Sequence, residues 1–568
     1  MSLISIYQVF TRLATNHVNS PVYNGTIEQN GVGKLNDFTT EVLKEIKKLG
    51  VTHVWYTGVI EHARCTANAE CGIEGGNPRV IKGRAGSPYA ITDYYDIDPD
   101  LAVSVPNRMQ EFARLVKHTH DAGLKVIIDF VPNHVSRLYK SDVFPERDFG
   151  KDDNPAWAFS IKNDFYYIVN QDLVLPENSG AEVEGKEKLA FFESPAKVTG
   201  NNQFSAWPTI DDWYETVKLN YGVDYQNGGK CYFVPQPSVW GKMLDILLYW
   251  ASKGVDAFRC DMVEMTPVEF WQFAIAEVNK QYPNIKFIAE VYNPSMYADY
   301  VKRGGFHYLY DKVGLYDTLR AIVSSDAPAY NLSGCWQRLG GLDANMVRFL
   351  ENHDEQRVAS RFFSPDPQKA IPAMLASATM NQGAIMTYFG QEVGEPALGK
   401  TGYSGDDGRT TIFDYYNVPA FQKWYNNGKP SYANLTPDQQ LLRDQYAEIL
   451  NLAISEPCFT NGAFYDIMWV NNPECGVDNT RIFAYLRYTA TEAMLVVLTF
   501  NGDKQLNFNI RIPEHAWNAM GVSLASAVKL KPVLGIAQPF DASVGQLIYN
   551  GLPMQMQPSS GVVFRVVW

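Results

Sequence analysis

Short apolar runs alternate with amphipathic stretches along the first part of the chain, a pattern that predicts parallel strands covered by helices. Ile4 to Phe10 reads as strand one. Val42, Leu43, Ile46 and Leu49 then recur at helical spacing, so 38–49 reads as a helix with Asp37 as its cap and Gly50 as its stop. Val51 to Val59 is strand two. A loop with Gly and Pro through Pro88 leads to a helix over 107–122, ended by Gly123, and Leu124 to Val131 is strand three. After His134 the rhythm breaks until about Val239. This stretch is polar and dense in aromatics, among them Trp157, Trp207, Trp213 and Tyr221. A structureless loop of that length inside a compact domain is rare, so 138–236 reads as a small domain inserted after strand three. Alternation resumes with a helix over 239–252 and strands over 254–261, 286–292, 305–309, 347–350 and 384–388.

Eight strand and helix units predict an α/β fold, a (β/α)8 TIM barrel whose two parts are residues 1–137 and 237–457. Beyond about Phe459 helical periodicity is lost. The runs IFAYLRY, AMLVVLTF, QLNFNIRI and GVVFRVVW, separated by turn residues, predict a C-terminal antiparallel β-sandwich over 458–568.

Composition narrows the partners. A formal charge of −13 argues against binding nucleic acid through its phosphates, which takes clustered Lys and Arg. Neutral ligands fit better: 33 Tyr and 12 Trp supply many flat apolar faces with polar edges, which suit sugar rings, although most such residues form core. No run of about 18 apolar residues is present, so no transmembrane helix is expected. The start, MSLISIYQVF, lacks the basic and apolar segments of a signal peptide. A cytoplasmic protein is expected if Met1 is the native start, a periplasmic or secreted one if a leader has been removed. Oligomeric state is left open. The seven cysteines lack metal-ligand spacing; Cys65 and Cys71 flank a short polar loop, where a disulfide is one expectation for an oxidising compartment.

In a barrel of this type the functional groups stand at the C-terminal ends of the strands. Strand four, GVDAFRCD, alternates faces so that Arg259 and Asp261 share one. A structural ion pair and a catalytic pair fit this equally. Strand three ends in Asp129, Asn133 and His134, strand five in Glu290, and strand seven leads into His353 and Asp354. Taken singly, His134 reads as a hydrogen-bonded structural residue, Glu290 as an ion-pair partner and Asp129 as an inward carboxylate that pairs with Arg259. Asp, Glu and His are all metal ligands, but close pairs such as HxH or HExxH are missing, and no metal ligand is assigned. What shifts the reading toward catalysis is that three carboxylates and two histidines converge on one rim.

These segments resemble the alpha-amylase family of glycoside hydrolases, whose four sequence signatures recur here in order. They are Asp129 to His134 (DFVPNH), Gly254 to Asp261 closed by Pro267, Glu290 in IAEVY, and Asn352 to Asp354 (NHD). The resemblance covers nearly the whole chain, including the insertion and the terminal β domain, which that family calls domains B and C. It implies Asp261 as nucleophile, Glu290 as acid and then base, and Asp354 as the third carboxylate, which binds sugar hydroxyls. Tyr89, in SPYAITDYYDIDP, is similar to the tyrosine that stacks on the sugar, and His134, Arg259 and His353 are grouped with it as substrate-binding. The physical expectation is an ionised Asp261 beside the Arg259 cation and a protonated Glu290 in a desolvated site. The implied activity is retaining cleavage of alpha-glucosidic bonds in starch, maltodextrins or related alpha-glucans through a covalent glycosyl-aspartate. A transglycosylase or isomerase using the same residues is the alternative, and an inactive glucan-binding scaffold the lesser one. The chemistry itself requires no cofactor.

Three departures from the family pattern matter. Gly86 stands where an acidic residue is usual near Tyr89. Thr216 to Asn220 (TVKLN) resembles the family's LPDLN signature, with Lys218 where a calcium-binding aspartate often sits, which puts the structural calcium of domain B and Asn133 as its ligand in doubt. Met262 to Met265 replace the Lys and His that follow the nucleophile in many alpha-amylases, which argues against endo-acting specificity as the automatic choice.

Overall fold

The computed structural model describes residues 3–18, 21–380, 382–401 and 405–568. Eight strands close a parallel barrel. They are β1 (Ile4–Phe10), β2 (His53–Thr57), β3 (Lys125–Phe130), β4 (Ala257–Cys260), β5 (Lys286–Ala289), β6 (Tyr308–Tyr310), β7 (Met346–Arg348) and β8 (Ala384–Tyr388). Each strand pairs with its neighbours in sequence, and β8 closes the ring on β1 with Ile4 opposite Ala384. Strands covered on both faces carry apolar residues without strict alternation. HVWYT in β2 and AIMTY in β8 are accordingly buried throughout. The helices Ser238–Ser252 and Val268–Gln281 pack inward through Trp250 and Trp271, both fully buried.

Two sequence expectations change. The helix expected over 38–49 runs Thr40–Lys47, because the Thr39 side chain accepts the Val42 N–H and caps it, while Asp37 ends a preceding 3-10 turn. The loop after β2 contains an antiparallel pair, Ile60–His62 with Ile91–Ile97, whose bulged register hides it from periodicity.

Between β3 and the helix at Ser238 the chain forms 3-10 turns and strands of two or three residues, such as His134–Ser136 paired with Thr216–Lys218. A small core of its own, around Tyr166, Ile168, Leu173 and Val198, holds this segment together. After the barrel, β9 (Ala463–Asp466), β10 (Ile482–Tyr488), β11 (Ala493–Thr499), β12 (Leu506–Ile510), β13 (Ala527–Leu534), β14 (Phe540–Ser543), β15 (Leu552–Met556) and β16 (Ser560–Val567) follow. They form an antiparallel six-stranded sheet in the order β9-β10-β11-β16-β13-β14, and β12 pairs with β15. The seven cysteines are free thiols, Cys65 and Cys71 included. Among the described residues no helix is long and apolar enough to cross a membrane.

Candidate active site

Residues two apart on β4 share a face, so Arg259 and Asp261 meet: Arg259 Nη1 donates to Asp261 Oδ1 at 2.8 Å. On β5 the register sets Ala289 opposite Cys260, and Glu290 follows one step later. Arg259 Nη2 therefore stands 2.8 Å from Glu290 Oε2, while Asp129 from β3 lies 3.5 Å from Nη1. One buried guanidinium serves three carboxylates. It is fixed by the rings of Trp55 and Tyr89, each 5.3 Å away, and donates from Nε to the Tyr310 hydroxyl at 3.2 Å.

This sharing alters the expected charge logic. Asp261 is pushed well above the ordinary carboxylate range by burial and by the charge of Glu290, with Arg259 opposing. Arg259, divided among several anions, offsets only part of that rise. Asp129 is raised to about 6 by burial, against the pull of Arg259 and of the Trp55 N–H at 3.1 Å. Asp261 and Asp129 are thus both raised by burial despite sharing one cation.

Glu290 accepts two more hydrogen bonds. The Met262 N–H donates to Oε2 at 2.9 Å and the Tyr292 hydroxyl to Oε1 at 2.6 Å. Met262 makes its contact in the left-handed region (φ 42°, ψ 47°), uncommon for a residue with a Cβ. Tyr292 was absent from the sequence expectations, although two-residue spacing from Glu290 in IAEVY is the signal that would have found it. Glu264 turns the other way and accepts the N–H groups of Tyr292 and Asn293, holding the loop after β5.

The two histidines are neutral. His353 lies well below its ordinary value because of burial and the nearby Arg259 charge. Gln8 donates to its Nδ1 at 2.8 Å, which leaves the ring proton on Nε2, facing the Tyr89 hydroxyl at 2.5 Å and Asp354 Oδ2 at 3.0 Å. His134 is pushed down to about 3 by burial and by Lys218. The Asn133 amide donates to its Nδ1 at 3.1 Å, and its ring leans on Trp213, 5.3 Å away.

Asp261, Glu290, Asp354, Tyr89 and His134 line one cavity of about 430 Å³. Arg259 and His353 do not: both are buried behind the lining and act on the residues that form it. The inserted segment adds Ile210, Asp211 and Trp213 to the wall, and the chain after β8 adds Ile412 and Phe413. Gly86 could not be acidic here, since a Cβ at its φ of +73° would meet the Ala63 carbonyl at 1.6 Å. Its own carbonyl accepts from Arg12 at 2.7 Å.

The residues at the expected calcium position do not fit a metal. Lys218 Nζ donates to Asn133 Oδ1 and, at 2.9 Å, to the Met265 carbonyl, so a side-chain amine already takes up the Asn133 oxygen, and a cationic group cannot ligate calcium. Among the described residues no group of three or more His, Cys, Asp or Glu is arranged to hold a metal ion.

The model of the alpha-amylase catalytic domain matches residues 23–312, a little over half of the chain. The chain belongs to the alpha-amylase family of glycoside hydrolases. Among its relatives, an alpha-amylase of Streptomyces lividans is 24% identical, over 81% of this chain and 50% of its own length. Alpha-amylase 3 of Dictyoglomus thermophilum is 23% identical, over 79% of this chain and 81% of its own length. The chain thus spans half of one relative and most of the other. In fold it is similar to the alpha-amylase of Geobacillus thermoleovorans solved with acarbose (TM-score 0.61, 18% identity, 100% of this chain and 98% of that one). It is also similar to a debranching enzyme of Nostoc punctiforme (TM-score 0.63, 15% identity, 99% and 97%).

Proposed function

We propose that this glycosidase cleaves alpha-glucosidic bonds of starch, maltodextrins or related alpha-glucans with retention, through a covalent glycosyl-Asp261 intermediate. The observation that supports it is the pair Asp261 and Glu290, placed side by side by one guanidinium at the floor of a cavity that Asp354 also lines. Retaining glycosidases use two carboxyl groups roughly 5 to 5.5 Å apart, and adjacent nitrogens of one arginine suit such a spacing. Arg259 binds Oδ1 of Asp261, which leaves Oδ2 to attack the anomeric carbon. Glu290 gives its proton to the departing glycosidic oxygen, then takes one from the water that releases the sugar. The Met262 N–H and the Tyr292 hydroxyl hold the Glu290 carboxyl in place through both steps. Asp354 and His134 line the cavity beside the sugar hydroxyls, and Tyr89 offers its ring as a stacking face.

Proton NMR of maltoheptaose digestion tests the proposal. The alpha anomer should form first at the new reducing end. The beta anomer appearing first would refute retention, and lengthened oligosaccharides forming before reducing ends accumulate would replace hydrolysis with transfer.

A further inference from the structure

A second cavity, of about 500 Å³, lies between the helix Asn331–Leu339 of the barrel and the first strand and turn of the β domain. It shares no lining residue with the catalytic cavity. Its two walls are tied into one body: the Tyr330 N–H donates to the Asn479 carbonyl at 3.0 Å, and the Ala329 N–H to that of Thr480 at 2.8 Å.

The floor is polar and preset. Asp466 accepts from the Ser333 hydroxyl at 2.5 Å, from the Trp336 indole N–H at 3.0 Å and from the Met468 N–H at 2.8 Å. The Tyr465 hydroxyl is held by His515 Nδ1 at 2.8 Å. Above this floor stand two rings that leave much of their surface in water, Trp469 at 61% exposure and Tyr330 at 46%. Gln337 and Asn479 add amide groups to the lining. Buried aromatics explain themselves as core, whereas these two exposed rings line the same cavity as the polar groups.

We infer that this cavity is a second binding site for a stretch of alpha-glucan chain, remote from the cleavage site. The inference rests on the reading of the substrate given above. A pyranose ring presents an apolar face of axial C–H bonds and an equatorial rim of hydroxyls. Trp469 and Tyr330 match the faces, and Asp466, Gln337 and Asn479 match the rim. The polar floor is already held by its own hydrogen bonds, so little of it has to be ordered on binding, which favours affinity for a neutral ligand. A polymeric substrate is much longer than the 430 Å³ catalytic cavity, so the rest of the chain is free to be held elsewhere.

Native electrophoresis in gels containing amylopectin, run on the full chain, tests this with Trp469→Ala and Tyr330→Ala. Each variant should bind the polymer roughly five- to thirtyfold more weakly, the loss typical of truncating an anchoring aromatic, while the rate on maltotriose stays at the parent level. Retardation of both variants equal to the parent, or a parent that the polymer does not retard at all, overturns the site. A parent that is retarded through Trp469 but turns over no alpha-glucan refutes the catalytic reading and leaves the binding site standing.

Discussion

Asp261 and Glu290 share a counterion: Nη1 of Arg259 meets the first and Nη2 the second, each at 2.8 Å. An ammonium is a point charge and cannot span two carboxylates with a fixed fork. Arg259→Lys should therefore fold but lose roughly a hundredfold or more in kcat, the scale of an ångström-level misplacement. Arg259→Ala leaves buried carboxylates without their cation and should cost about 3–5 kcal/mol of stability. Steady-state kinetics and thermal unfolding of the two variants separate the effects. Near-parent activity in Arg259→Lys would show that the bridge is dispensable.

Asp261→Asn and Glu290→Gln should each lower kcat on maltoheptaose by ~10²–10⁴-fold or more. Their behaviour should part on maltosyl fluoride, whose leaving group needs no proton. Glu290→Gln is expected to regain a burst of fluoride release from that substrate, and Asp261→Asn is not. Fluoride release by the Asp261 variant at the rate of the Glu290 variant would exchange the assigned roles.

His134 is pushed down to about 3, so its ring is not expected to change charge between pH 5 and 8. A group that is neutral throughout a window contributes no limb to the profile there. His134→Asn should lower kcat/KM by roughly tenfold through a lost hydrogen bond while leaving the shape of its pH dependence unchanged. Disappearance of a limb near pH 6 to 7 in that variant would mean that the ring titrates.

Lys218 bears on metal dependence and on pH. Thermal unfolding should be indifferent to a chelator, because Lys218 Nζ already bonds the Asn133 and Met265 oxygens. Burial lowers Lys218 to about 7 in the fold, against roughly 10.4 in an unfolded chain. Between these values the unfolded state holds a proton that the folded state has released, so stability rises with pH, by at most about 1.4 kcal/mol per unit. The stability of the parent relative to Lys218→Met should therefore increase from pH 7 to 10. A chelator-induced fall of several degrees in Tm, or a difference that shrinks as pH rises, would contradict this.

Much of the barrel is readable from apolar runs alone. Ala384–Tyr388 matches the expected strand end to end, and IFAYLRY falls wholly on β10. What escaped is set by tertiary contact. The strands β13 and β15 carry Pro532 and Pro553, which break the pattern a reader relies on. The site residues at strand ends were legible because alternation and order place them. The burial of Arg259 and His353 behind the cavity was not, since it depends on how Trp55, Tyr89 and Gln8 pack around them. Trp213 was visible only as one aromatic among many in the insertion, and the fold alone brings it against His134.

The pairing of β8 with β1 has a bearing on synthesis. Ile4–Phe10 is made well before its partner Ala384–Tyr388, which emerges only after the other barrel strands and the whole insertion. Until then the sheet is open, with unpaired backbone along β1 and β7, and such edges are templates for sticking to other chains. A product truncated just before Ala384 is accordingly expected to aggregate rather than to work poorly. The rim that carries Asp261 and Glu290 acquires its final curvature with one of the last barrel segments to be made, so a nascent chain has no partial use for its catalytic pair.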